Sequence, residues 1–118
     1  MKRDMDLVRG LLLCVEVDGD LTALYKQYSQ EVVIGHLEIM MDANLLVGNV
    51  QSYLDGSKSA IVQRLTWAGH EFLDNARNDT VWNKVTATIK NAATTASFEV
   101  LVEMLKAGVL AVVKNEEW

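Results

Sequence analysis

Apolar residues recur at helical spacing over most of this chain and switch to a strand-like pattern only in its middle. Val8, Leu11, Leu12 and Val15 fall on one face of a helix predicted over about Asp4 to Val17, with Asp4 and Asp6 at the end where the helix dipole favours carboxylates. Asp18-Gly19 stops it. Leu21 to Lys26 is a short segment that fits either a half turn or a strand. Ser29 then caps a helix to Ala43, with Tyr28 before the cap placed to staple onto Val33 and with Val33, Leu37, Met40 and Met41 on the buried face. Asn44 tolerates the left-handed conformation that ends a helix, and Leu45-Leu46 can fold back on the last turn.

From Val47 to Leu65 the pattern is that of a hairpin: Val50 to Leu54, a turn over Asp55-Gly56-Ser57-Lys58, then Ala60 to Leu65. Its alternation is imperfect, so the register stays open. Thr66 is placed to cap a helix running to about Arg77, in which Ala68, Phe72 and Ala76 recur at helical spacing. Gly69 sits early in that helix where a side chain is expected, which predicts close approach of another backbone, near Trp82 or the first helix. Asn78-Asp79 caps a further helix to about Ala92 with Val81, Val85 and Ile89 on one face. Thr94 to Ser97 punctuates the chain again. The last helix, Phe98 to Lys114, carries Leu101, Val102, Leu105, Val109 and Val112 on one side and Val100, Met104 and Ala111 around the other. That arc is wider than a surface helix needs, so the helix is either buried on two sides or shared with a partner.

The order of elements is that of a winged-helix-like domain: mainly α with a small β-hairpin, residues 1–77 as core and 78–118 as a two-helix C-terminal extension, all one domain at 118 residues. Several strings also carry a resemblance. Met1-Lys2-Arg3-Asp4-Met5-Asp6-Leu7, His36-Leu37, Asn44-Leu45-Leu46, Leu65-Thr66-Trp67-Ala68-Gly69-His70-Glu71-Phe72-Leu73-Asp74, Arg77, Asp79 and Trp82-Asn83 look like a bacterial and phage family known only as a domain of unknown function and related to winged-helix regulators. The resemblance implies the fold and assigns no activity. Its relatives usually have Gly where this chain has Asn44, and the first helix of a helix-turn-helix pair is short or missing here.

Charge bears on what such a domain binds. A DNA-binding winged helix would set the Ser29 to Ala43 helix in the major groove and use the hairpin as wing. The net charge is −5, however, and that helix holds Glu31, Glu38 and Asp42 with no Lys or Arg. Duplex affinity comes largely from cations on phosphates. The basic residues left for DNA are Lys2, Arg3, Arg9, Lys58 and Arg64. The composition therefore favours a non-enzymatic interaction module that binds a host protein, or itself, through Glu31, Glu38 and Asp42 or through Leu101, Leu105, Val109 and Val112. A DNA-binding transcriptional regulator is the alternative.

Catalytic chemistry has little to build on. His36 and His70 lack the Ser, Cys or glycine-rich partners of a nucleophilic site, although His70 and Asp74 are spaced to meet on one helix face. No Cys or His pair has metal-ligand spacing, and neither a cofactor nor a small-molecule substrate is expected. Cys14, the only cysteine, lies in an apolar run and is expected to be buried and inert. Trp67 and Trp82 are expected in the core, and Trp118 frayed. The first helix is interrupted by Arg9 and Glu16, so neither a signal peptide nor a membrane span is expected, and the location should be cytoplasmic.

Overall fold

The computed structural model describes residues 1–117, so the expectation for Trp118 lies outside the described residues. It divides into two compact units, Met1–Glu71 and Phe72 onward. The first holds α1 (Met5–Glu16), α2 (Thr22–Tyr28), α3 (Gln30–Asp42), β1 (Leu46–Ser52) and β2 (Lys58–Leu65). The fourth helix, α4 (Trp67–Ala76), spans the division, and the second unit continues with α5 (Asp79–Asn91) and α6 (Phe98–Lys114). The protein is thus mostly helical with one antiparallel hairpin.

Helix ends are set by short polar side chains. Asp4 caps α1 by accepting from the backbone N–H groups of Asp6 and Leu7 at 3.0 and 3.2 Å, and Asn78 and Ser97 do the same for α5 and α6. At the C-terminal ends, Asp18, Asn44 and Asn115 take left-handed φ angles of 53°, 61° and 58°. Each end closes with the paired reverse bonds of a Schellman motif. After α3, Asn44 N–H donates to the Met41 carbonyl at 3.0 Å and Leu45 N–H to that of Met40 at 2.9 Å. Leu45 and Leu46 are thereby turned inward and buried, as their position in the sequence predicts.

In the first unit Leu7, Val8, Leu11 and Leu12 of α1 and Val33, Ile34, Leu37 and Met40 of α3 make the core with Leu45, Leu46 and Leu65. Helix α3 packs against both strands and α1 against β2. Val15 and Met41 are only half-buried, displaced from the apolar faces that periodicity assigns them. Residues 22–28 form a helix, neither half turn nor strand, separated from α3 by Ser29 alone. Thr22 starts it, donating N–H and hydroxyl to the Asp20 carboxylate at 2.9 and 2.6 Å.

The hairpin begins and turns earlier than its alternation suggests. Leu46 pairs with Leu65 and Ser52 with Lys58, with a register shift between Val47 and Gly48. Tyr53 and Leu54, expected in the strand, lie in the turn and are exposed, because Tyr53 N–H donates to the Ser57 carbonyl at 2.9 Å and closes the loop there. In the second unit α5 packs on α6. Trp82, Val81, Val85, Leu101, Leu105 and Ala111 are buried, and the Phe72 and Phe98 rings sit 4.9 Å apart, tilted by 35°.

Candidate functional site

Two features of the first unit stand out: a tightly bonded junction at Thr66 and an open groove along α3. The junction explains much of the Leu-Thr-Trp-x-Gly-His-Glu-Phe string. Thr66 N–H donates to the Leu45 carbonyl at 3.0 Å, its hydroxyl donates to the Asn44 carbonyl, and the same oxygen accepts from Gly69 N–H at 2.9 Å. One threonine thus ties the exit of α3 to the start of α4. Gly69 does meet another backbone, but it is Leu45, not Trp82 or the first helix: a Cβ there would strike the Leu45 carbonyl oxygen.

Trp67 does not join the core. It is 81% exposed at the first position of α4, where the helix turns that residue outward while Phe72, Leu73 and Ala76 turn inward. His70 and Asp74 have separate partners: His70 Nδ1 lies 3.8 Å from Glu16 Oε2, and Arg77 donates to Asp74 at 3.2 Å. His70 and Asp74 are spaced so that they could meet on one helix face, but each has another partner.

His36 is fully buried and structural. Its Nε2 accepts the Asp4 backbone N–H at 2.8 Å, and since that group can only donate, the ring carries its proton on Nδ1, which donates to the Val32 carbonyl at 2.9 Å. The histidine fastens the N-terminal arm, residues 1–4, to α3. Spacing along the sequence gives no signal for this partner, 32 positions away.

The arm, α3 and the hairpin turn enclose an open groove of about 900 Å³ lined by Met1, Lys2, Glu31, Ile34, Glu38 and Lys58 among others. Lys58 Nζ stands 3.4 Å from both Glu38 oxygens, so the turn's cation is joined to an α3 carboxylate. The pair is about half exposed, which limits its worth to roughly 1 kcal/mol or less. Of the other basic candidates, Lys2 lines the groove, Arg3 is exposed beside it in sequence, Arg9 is mid-way along α1, and Arg64 donates to the Leu65 carbonyl at 3.1 Å at the far end of β2. Only Lys2 and Lys58 of the five come together at the groove.

Glu31 and Glu38 line that groove, and Asp42 is exposed at the end of α3. The apolar candidates on α6 divide. Leu101 and Leu105 are buried, Val109 is half-buried, and Val112 is 50% exposed, as are Val100 at 49%, Leu110 at 53% and Val113 at 76%.

Titration marks few places. The Cys14 thiol is pushed up by burial and then by the Asp20 charge, and it donates to the Asp20 carbonyl at 3.5 Å; it is half-buried, not enclosed. The Asp55 carboxyl is held below its ordinary value by the Ser57 hydroxyl and backbone N–H, and Asp20 likewise by Thr22. Burial, then Asp4 and Asp6, raises the Tyr28 phenol. Among the described residues no cluster of His, Cys, Asp or Glu is arranged to hold a metal ion, and no helix is long and apolar enough to cross a membrane.

These features define a small, mainly helical protein whose first unit carries a groove of mixed charge along α3 and the hairpin turn. The chain belongs to the DUF2513 family, described as hypothetical protein, whose model matches residues 2–96. An uncharacterized protein of Haemophilus influenzae is 35% identical over 109 residues, covering 88% of this chain and 92% of that relative. No solved structure matches the chain.

Proposed function

We propose that the chain is a non-enzymatic, winged-helix-like interaction module of the cytoplasm that binds a protein partner through the groove between α3 and the hairpin turn. The observation that carries this reading is the Lys58–Glu38 pair. The face that a winged helix would turn to a duplex has its hairpin cation already joined to a carboxylate, with Glu31 beside it and apolar Ile34 and Ile39 between. Phosphates would meet that negative charge, whereas a basic and apolar protein segment complements it.

A capture experiment tests this. The tagged protein is used to retrieve partners from nuclease-treated native host extract, alongside Glu31→Gln/Glu38→Gln, and both bound protein and protected DNA are identified. A defined protein lost with the double variant supports the reading. A short DNA site that is lost as salt rises, and that needs Lys2 and Lys58, supports a DNA-binding regulator instead.

That second reading draws on the element order α2, α3, β1, β2, with one residue between the two helices. Self-association belongs to the first. Ala107, Leu110 and Val113 leave an apolar strip exposed on α6, suited to a second copy.

A further inference from the structure

We infer that His36 is a proton-operated latch: with its imidazole neutral it holds residues 1–4 against α3, and protonation of the ring in mild acid releases them. The inference goes beyond the binding role proposed for the groove and does not depend on it.

Both ring nitrogens are committed, and in opposite senses. Nε2 accepts the Asp4 backbone N–H at 2.8 Å, and Nδ1 donates to the Val32 carbonyl at 2.9 Å. Neither the amide nor the carbonyl can reverse its role, so one neutral tautomer fits and the imidazolium does not. A proton added at Nε2 would face the Asp4 N–H, donor against donor, at a residue that is fully buried. Burial adds the cost of keeping the new charge from water. Moving the arm relieves both, since it parts the two donors and lets solvent reach the ring.

The arm is free to move once that bond is lost. Met1, Lys2 and Arg3 are exposed, and Met1 meets α3 with the flexible end of its side chain, over Gly35. Helix α1 is fixed separately, by Leu7, Val8, Leu11 and Leu12 in the core, so the first unit stays folded when the arm leaves. Asp4 marks the boundary: its carboxylate caps α1 through the Asp6 and Leu7 N–H groups while its own N–H reaches His36.

The charged groups on the elements around His36 do not oppose the proton. The start of α1 brings Asp4 and Asp6, and the end of α2 brings Tyr28, whose phenol is raised by burial and then by those two carboxylates. Their negative charge favours an imidazolium. Arg9 and Glu16 lie further along α1, and β1 holds no titratable residue. Of the β2 cations, Lys58 is joined to Glu38 and Arg64 donates to the Leu65 carbonyl. On α3 itself Glu31 and Glu38 line the groove and Asp42 is exposed at the end. Lys2 and Arg3 are carried by the arm and leave with it.

The test follows the full chain by nuclear magnetic resonance from about pH 8 to about pH 5, the range in which histidine changes charge. Three signals are read together: the His36 ring nitrogens, the Asp4 amide, and the nuclear Overhauser contact between the Met1 methyl and the Gly35 α-protons. As the ring gains its proton, the Met1 contact should vanish with the same midpoint. Protection of the Asp4 amide, taken against its intrinsic exchange rate at each pH, should fall about tenfold or more. Amides of Leu11 and Leu37 should stay protected throughout. In His36→Gln, whose amide can accept and donate but gains no proton, the arm signals should not depend on pH over this range. A ring that charges while the Met1 contact and Asp4 protection persist would overturn the inference. So would a ring still neutral at the acid end, loss of Leu11 and Leu37 protection together with the arm, or a His36→Gln chain that loses its arm in acid as the wild type does. The wild-type titration decides the matter alone if His36→Gln does not fold.

Discussion

Three glycines lie inside helices of the first unit, and the same substitution should have opposite effects at them. Glycine to alanine in a helix interior ordinarily stabilises by about 1 kcal/mol, because the backbone loses less freedom on folding. At Gly10 the added methyl would meet only Leu24 Cδ2, at an ordinary 3.7 Å, so Gly10→Ala should return most of that gain. At Gly35 it would press on the flexible end of Met1, which can swing away, so the gain should be smaller but of the same sign. At Gly69 it would strike the Leu45 carbonyl. That oxygen accepts Thr66 N–H, and Leu45 N–H is itself bonded to Met40, so neither side of the contact can yield cheaply.

Overpacking of this kind costs about 1–3 kcal/mol against side chains, and the upper end or beyond applies against bonded backbone. Subtracting the propensity gain leaves Gly69→Ala destabilised by about 2 kcal/mol or more. For a domain of this length each kcal/mol moves Tm by roughly 3–6 °C, so the three variants should spread over 10 °C or more. Thermal and urea unfolding followed by circular dichroism measures the order. A Gly69→Ala chain that gains stability as Gly10→Ala does would refute the contact, and with it the account of why Thr66 and Gly69 occur together.

Other outcomes follow from single sites. Ala93 ends α5 at φ 53°, a conformation costing a non-glycine residue about 1 kcal/mol or more, so Ala93→Gly should raise Tm by a few degrees. Leu105→Asp should unfold the second unit, since the side chain is fully buried, whereas Leu110→Glu should leave folding intact and reduce only weak self-association in sedimentation velocity. A ¹⁵N spectrum of His36 should show Nδ1 protonated and Nε2 as the bare acceptor; the opposite tautomer would contradict its bond to Asp4. The Asp55 carboxyl is depressed in the folded chain, so its support of the turn is complete above the ordinary aspartate range and is lost as pH falls through the lower folded value. Exchange of the Ser57 amide, measured against Asp55→Ala, should therefore differ at neutral pH and converge in acid.

What was legible in the sequence was local. Ser29 and Asn78 announce helix starts because capping needs a short acceptor side chain within a few residues, and Asn44 announces an end because Asn tolerates the left-handed backbone found there. Helix α2 was not legible, since its seven residues contain no buried position and so leave no periodicity to detect. The start of the hairpin was obscured by Gly48, whose missing side chain breaks the alternation where Ile61 and Met41 come too close for a Cβ. Trp67 was misplaced because a large aromatic ring is ordinarily core, and only the phase of α4, set by the Thr66 cap, turns it outward. The groove depends on the arm meeting α3 across some thirty residues, and neither Met1 on Gly35 nor Asp4 on His36 follows from spacing.

The same partition bears on how charge decides between the two functional readings. As a total, −5 is a weak argument, since a basic stripe can coexist with an acidic remainder. Placement makes it specific. A DNA-reading groove needs its cations unopposed, yet Lys58 faces Glu38 and Arg64 sits six residues up the strand, roughly 20 Å away. Lys58→Ala separates the alternatives by sign: on a duplex it removes a phosphate contact and weakens binding, while for a basic protein segment it vacates Glu38 and strengthens binding. A captured partner whose retention falls in Lys58→Ala and in Lys2→Ala alike, with a reduced salt dependence, would overturn the protein-binding reading in favour of nucleic acid.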